Sequence, residues 1–428
     1  MEGADGQMKV KILYGRGGLD VRLPDGCEPT VIEKPPMPVI GDAKSAVAAA
    51  LDQGGLAAAA AGARSACILI CDITRPVPNR LFLKPLVERL VRSGVPRDAV
   101  TVLVATGLHR PNLGEELAEV VGDPWVLKHV RVENHYARDA ADHVDLGCTR
   151  RGTPIRLDRR FVEADVRIAT GLVEPHFMAG YSGGRKVIAP GIAHADTITT
   201  FHNHRFMSDP CADNCVLDGN PLHREQLEIL ERIGGALALN TVIDDQRRLA
   251  FVNFGECRTS HLDAVAFVRR YAEVALPRRF TTVVTSAAGY PLDKTYYQTV
   301  KGMVGALGAL ADGGDLVVAS ECSEGLGSAE YRAAQRRLVD AGPEAFLASI
   351  SGKANADIDE WQTQMQTRSL ARGRISLFSE GLVPADRALT GVESVASVER
   401  AVARSIERHR DRRVAVIPEG PYVIPRAA

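Results

Sequence analysis

The stretch from residue 66 to residue 105 limits what this chain can fold into more than any other. Two apolar runs, ACILIC (Ala66 to Cys71) and VTVLVA (Val100 to Ala105), flank an amphipathic segment from Asn79 to Ser93. Short apolar runs bounded by turn residues read as buried strands, and the helix between them is the crossover that parallel strands require. This βαβ signature predicts a parallel, doubly wound sheet with helices on its faces. Val166 to Thr170 (VRIAT) reads as a further strand of the same kind. Ligands of such sheets sit beyond the carboxyl ends of the strands. Asp72, Thr74 and Arg75 follow the first strand, Thr106 and His109 the second, and His176 with Lys186 the third, so the three groups are expected to converge on one crevice.

A length of 428 residues exceeds one typical core, so two domains are expected. A Pro/Arg break at Leu276 to Arg279 precedes the strand-like Phe280 to Thr285. A helix from about Tyr296 to Leu310, a strand at Asp315 to Ala319, a helix near Ala329 to Asp340 and strands at Ile375 to Phe378 and Val414 to Ile417 follow. The expected fold class is α/β: two domains with mainly parallel, doubly wound sheets, cut at 1–275 and 276–428, with the active site in an interdomain cleft. The alanine-rich Ala57 to Ala63 reads as helix surface or core filler.

Composition removes several classes of function. Lys and Arg number 52 against 53 Asp and Glu, which argues against a general electrostatic grip on nucleic acid or an anionic membrane. The apolar stretch Ala46 to Ile70 is broken by Asp52, Gln53, two glycines and Arg64, so it does not span a bilayer as a helix. The opening MEGADGQMKVKILYG lacks the basic and apolar regions of a signal peptide, and a cytoplasmic address is expected. Eight scattered cysteines are unlike a disulfide framework. Cys211 and Cys215, just after His202 and His204, leave open a tetrahedral zinc site and hence a zinc hydrolase, although no HExxH helix accompanies them.

The densest chemistry lies in GLVEPHFMAGYSGGRKVIAPGIAHADTITTFHNH, Gly171 to His204. Adjacent glycines at Gly183 and Gly184 admit an anion to backbone amides, and Arg185 and Lys186 supply positive charge, which points to phosphate. The spacing is not that of a Walker A loop. Histidines at 176, 202 and 204 add metal-binding and proton-exchanging capacity, in a His-Asn-His that looks exposed. A non-catalytic phosphate- or nucleotide-binding protein also satisfies this much.

CDITRP (Cys71 to Pro76), ATGLH (Ala105 to His109), EPHFMAGYSGGRKVIAPGI (Glu174 to Ile192), YYQTVKGM (Tyr296 to Met303) and Trp361, in that order, resemble the nickel-dependent lactate racemase family over nearly the whole chain. The resemblance implies an isomerase that uses nickel held by a pyridinium-3,5-bisthiocarboxylic acid mononucleotide, the nickel-pincer nucleotide. It implies that Lys186 carries this group covalently as a thioamide and that His202 is the protein's nickel ligand, in a nitrogen and sulfur donor field. His109 and His176 match the acid–base pair. Arg75, Gln298 and Lys301 match the groups that hold the substrate carboxylate, with Tyr297 and Trp361 as further candidates. Asp72, Thr74, Ser182, Gly183 and Gly184 match positions near the cofactor's ribose and phosphate. The implied partners are a 2-hydroxy acid and the enzymes that build the cofactor and insert nickel.

These residue types suit that chemistry. Removing the α-proton of a 2-hydroxy acid would build negative charge beside a carboxylate, whereas removing hydride leaves a 2-keto acid with a neutral carbon. One histidine takes the hydroxyl proton, and return of the hydride to the opposite face with a proton from the other histidine gives the enantiomer. The planar fork of Arg75 suits a carboxylate whose neighbouring carbon must present either face.

Overall fold

The computed structural model describes residues 8–427. The first seven residues, part of the stretch read above for a signal peptide, lie outside the described residues. Two compact units emerge, one of residues 36–202 with 209–270, the other of the residues up to Pro35 with 203–208 and 271 onward. Their sheets use twelve strands: β1 (Glu28–Val31), β2 (Ala66–Cys71), β3 (Val100–Ala105), β4 (Arg131–Asn134), β5 (Val166–Leu172), β6 (Leu237–Ile243), β7 (Leu249–Glu256), β8 (Phe280–Ser286), β9 (Leu310–Ala319), β10 (Arg374–Phe378), β11 (Glu393–Val395) and β12 (Arg413–Ile417).

The first unit has the sheet order β7-β6-β5-β2-β3-β4, parallel except for the antiparallel edge strand β7. Winding proceeds outward from β2 in one direction and resumes from β5 in the other, so the switch point lies between those two strands. The crossover helix α1 (Asn79–Arg92) buries Phe82, Leu83, Leu86, Val87 and Leu90 in one stripe. That stripe packs with Ile68, Ile70, Val102 and Val104 of β2 and β3 in one core. Burying each such side chain stabilises the fold by about 1.5–3 kcal/mol. The parallel sheet thus fixes the ends of β2, β3 and β5, where the candidate residues begin.

The second unit has the all-parallel order β11-β10-β9-β8-β12-β1. Its edge strand comes from the amino-terminal end of the chain, with Glu28 opposite Arg413 and Val31 opposite Val416. A boundary drawn only after residue 275 would part β1 from the sheet it completes. Residues 203–208 also group here: Asn203 donates to the Ala354 carbonyl, and Gln364 and Arg368 donate to the carbonyls of His204 and Met207.

The helix expected from Tyr296 to Leu310 is shorter. It is α2 (Tyr296–Gly305), followed by a 3-10 turn, Ala306–Gly308, and Leu310 already opens β9. A Cβ at Gly308 would stand 2.0 Å from the Pro425 carbonyl oxygen, so only glycine fits against that backbone at the turn. The helix α3 (Glu360–Arg372) has a polar sequence yet buries Gln362, Thr363, Gln364, Gln366 and Ser369. Among the described residues no helix is long and apolar enough to cross a membrane.

Candidate active site

Chemistry collects on both sides of the switch point. Beyond β2 the chain turns sharply, and the buried Asp72 accepts from the Thr74 amide at 3.1 Å and the Thr74 hydroxyl at 2.5 Å through Oδ1. Its other oxygen meets His109 Nδ1 at 2.6 Å, from the loop beyond the neighbouring strand β3. An ionised carboxylate only accepts, so Nδ1 carries the proton and Nε2 of His109 the lone pair. Burial opposes charge on Asp72, but the His109 ring and the Thr74 donors outweigh it and hold the carboxyl below the ordinary carboxylate range. The His109 side chain is half exposed. Asp72 and Thr74, matched above to the cofactor's ribose and phosphate, are thus also the support of His109.

Beyond β5 the chain folds into a small hairpin in which Pro175–His176 pairs with Gly180–Tyr181. His176 is buried in it, and Nδ1 accepts from the amides of Met178 and Ala179 at 3.3 and 3.1 Å. Its exchangeable proton therefore sits on Nε2. Ser182 closes the hairpin: its hydroxyl donates to the Leu172 carbonyl at 2.8 Å and accepts from the Glu174 amide at 3.1 Å. The Glu174 carboxylate forms an ion pair with Nη1 of Arg75. Sequence reasoning gave Glu174 no role, although it lies two residues before His176.

The Ser-Gly-Gly-Arg-Lys loop separates two residues that had been grouped as positive charge. Gly183 has φ +77°, and a Cβ there would lie 2.7 Å from Val173; one at Gly184, φ +49°, would lie 2.8 Å from His261. The glycines are required by the fold, and their amides donate to no acceptor among the described residues. Arg185 does not face an anion. It is 1 % exposed, and its guanidinium donates to the carbonyls of Tyr181 and Ala179 and to His223 Nδ1, each at 2.9 Å, with no carboxylate partner among the described residues. Burial pushes it down to about 9. Its charge is structural, which corrects the expectation that it binds phosphate.

Lys186 differs from its neighbour. Burial first, then the charge of Arg75, pushes its amine down to about 7, so a large part of it is neutral near neutral pH. His202, expected to be exposed, is 7 % exposed, and Asn203 is buried with it. It follows a helix, Ala195–Phe201, and its Nδ1–H donates to the Ile198 carbonyl at 2.8 Å, which leaves the lone pair on Nε2. Burial pushes it down to about 4, so it stays a neutral donor. No group of three or more His, Cys, Asp or Glu side chains among the described residues is arranged to hold a metal ion, so the zinc site on His202, His204, Cys211 and Cys215 is not formed. Cys215 is buried with φ +60°, its amide bonded to Gly180. Cys211 is packed against Gly219.

In the other unit, Trp361 of α3 donates from Nε1 to the Tyr297 hydroxyl at 3.3 Å. Gln298 and Lys301 lie one turn apart on α2, and Gln298 Oε1 is buried without a donor among the described residues.

Residues 14–214 match the family model described as lactate racemase N-terminal domain, and residues 278–424 match lactate racemase C-terminal domain. A lactate racemase of Thermoanaerobacterium thermosaccharolyticum is 32% identical over 86% of this chain and 86% of its own. One from Lactiplantibacillus plantarum is 29% identical over 85% and 86%. The apoprotein structure of the lactate racemase from Thermoanaerobacterium thermosaccharolyticum superposes with a TM-score of 0.88 at 29% identity, covering 98% of this chain and all of that one. A crystal structure of a Thermotoga maritima protein, 16% identical with a TM-score of 0.68 over 90% and 97%, shares the fold.

Proposed function

This chain belongs to the lactate racemase family, and on that premise we propose that it is a racemase of lactate or a closely related 2-hydroxycarboxylate that works with a nickel-pincer nucleotide on Lys186. The observation that carries the proposal is the pairing of a half-buried amine pushed down to about 7 at Lys186 with a buried histidine, His202, whose tautomer puts a lone pair on Nε2. A neutral amine is the form that attacks an acyl carbon, and a neutral imidazole held by a backbone carbonyl is the form that ligates a metal. The two open amides of Gly183 and Gly184 suit the nucleotide's phosphate.

When bound, the nickel-pincer nucleotide supplies a ring carbon that accepts the α-hydrogen of the substrate with its electron pair and gives it back. The chain's own residues handle the proton and the carboxylate. His109 takes the hydroxyl proton on Nε2, and Asp72 stabilises the imidazolium that results. His176 serves the opposite enantiomer from Nε2. To pass through its cationic form it must place a proton on Nδ1 and give up two amide bonds, so the cost of that step lies in the hairpin. Arg75 holds the substrate carboxylate, and Gln298, Lys301, Tyr297 and Trp361 are the family-matched candidates for further substrate contacts. The enzymes that build the nucleotide and insert nickel are the required partners.

Intact-mass spectrometry and metal analysis test this on protein co-expressed with those enzymes. The wild type should show an added mass and about one nickel per chain, and Lys186→Ala should lose both. Adduct formation should rise as pH is raised through about 7, because the deprotonated amine is the reactive species. A wild type with neither nickel nor adduct would overturn the reading.

A further inference from the structure

We propose that Glu174 is a positioning residue for substrate binding: it holds one corner of the Arg75 guanidinium and presents the opposite edge to the substrate carboxylate. The inference rests on the reading of Arg75 as the carboxylate-binding group.

An arginine fork has a side-on edge, made by Nε–H and one Nη2–H, that matches the two oxygens of a carboxylate. The remaining nitrogen, Nη1, is the one paired with Glu174. Among the described residues no protein acceptor takes Nε–H or Nη2–H, although the Arg75 side chain is only 20 % exposed. A guanidinium so enclosed, with its side-on edge unfilled, is prepared for an anion from outside the protein. Its main chain is fixed as well, because the Arg75 amide donates to the Asp72 carbonyl at 3.1 Å.

Glu174 can orient that fork because its own backbone is immobilised. The Ser182 amide donates to the Glu174 carbonyl at 2.9 Å, the Glu174 amide donates to Ser182 Oγ at 3.1 Å, and Pro175 follows. Glu174 and His176 are two residues apart across an extended stretch, and side chains at that spacing share a face. One short segment therefore carries both a proton-exchanging histidine and the carboxylate that aims the arginine. A neutral acceptor in place of Glu174 would leave the guanidinium free to rotate about its long side chain, and each bound carboxylate would have to fix it anew.

Calorimetric binding of propionate and steady-state racemisation by the holoenzyme test this, with thermal unfolding as a control for fold. Glu174→Gln should weaken propionate and raise KM for the 2-hydroxy acid about tenfold, with kcat changing less than about twofold, a split expected when an interaction shared by ground and transition states is lost. Glu174→Asp, which keeps the charge at shorter reach, should fall between. In the Arg75→Lys background the Glu174→Gln change should add less than about twofold, because a residue acting through Arg75 has nothing left to act on. Unchanged propionate binding and KM, tighter propionate binding, or a full additive loss in the Arg75→Lys background would each overturn the proposal. A wild type that inverts no 2-hydroxy acid would instead defeat the functional reading, while propionate binding would still decide whether Glu174 governs the anion at Arg75.

Discussion

His109 and His176 arrive at the candidate site on opposite terms. His109 stands half exposed at the end of β3, with a carboxylate behind Nδ1. His176 is buried in a hairpin, with two backbone amides behind Nδ1. The first arrangement puts a proton on Nδ1 opposite an acceptor and the second puts a lone pair there opposite two donors, so the two rings hold opposite tautomers. Residue type alone therefore does not make an acid–base pair symmetric. On the proposed two-base scheme a racemase needs both stations, and one would be tuned by a side chain that mutation can reach and the other by main chain that it cannot.

The largest effect should come from removing either ring. His109→Ala and His176→Ala are each expected to lower racemisation by about 10²–10⁴-fold, the usual worth of a positioned acid or base. Adduct mass and nickel content should stay at wild-type values. Turnover retained in both variants, measured by chiral chromatography of the product, would break the two-station scheme. Asp72→Asn sharpens the contrast with a smaller loss, about 10–10²-fold, because the imidazole stays but loses the charge that stabilises its cation. Should Asp72→Asn instead release the nucleotide and leave the rate per bound nickel intact, Asp72 would belong to cofactor binding and not to His109.

Much of this was legible in the sequence. ACILIC, VTVLVA and VRIAT mark strands because full burial on both faces demands unbroken apolar runs, and residues that follow such strands fall at one end of the sheet without further assumptions. What was not legible depends on partners distant in sequence. Arg185 and Lys186 look alike as letters, yet one is enclosed by the carbonyls of Tyr181 and Ala179 and by His223, while the other stays near Arg75 with its amine pushed down. His202 reads as exposed because His-Asn-His is polar, and only the fold shows it buried at the carboxyl end of the helix before it. Glu174 was in view, two residues before His176, but nothing local pairs it with Arg75, nearly one hundred residues earlier. Strand β1 was missed because its partner β12 lies at the other end of the chain, and short edge strands carry weak patterns.

The smallest effect comes from buried rings that are given no proton to carry. Burial opposes protonation of His135, His202 and His223 in this unit, so acid should destabilise the fold through them. His135 is 1 % exposed, and its Nε2 meets His143 Nε2 at 3.0 Å. His143 spends Nδ1–H on the Asp139 carbonyl at 2.6 Å, so His135 donates and its own Nδ1 is left without a donor among the described residues. Burial pushes His135 down to about 3, His223 to about 3 and His202 to about 4, each from 6.5. Between those values and 6.5 the unfolded chain binds more protons than the folded one, so stability is full above 6.5 and falls as pH drops toward 3–4. Asp72, held below the ordinary carboxylate range, adds its own loss only below that range. Within the window each imidazole contributes a slope approaching about 1.4 kcal/mol per pH unit. Denaturant unfolding between pH 4.5 and 6.5 should show that dependence, and His135→Phe, which keeps a ring but cannot titrate, should reduce the slope by about one proton. An unreduced slope in His135→Phe would mean that this ring already accepts a proton in the folded state, and that a buried histidine without a carboxylate is not, in this molecule, a histidine held neutral.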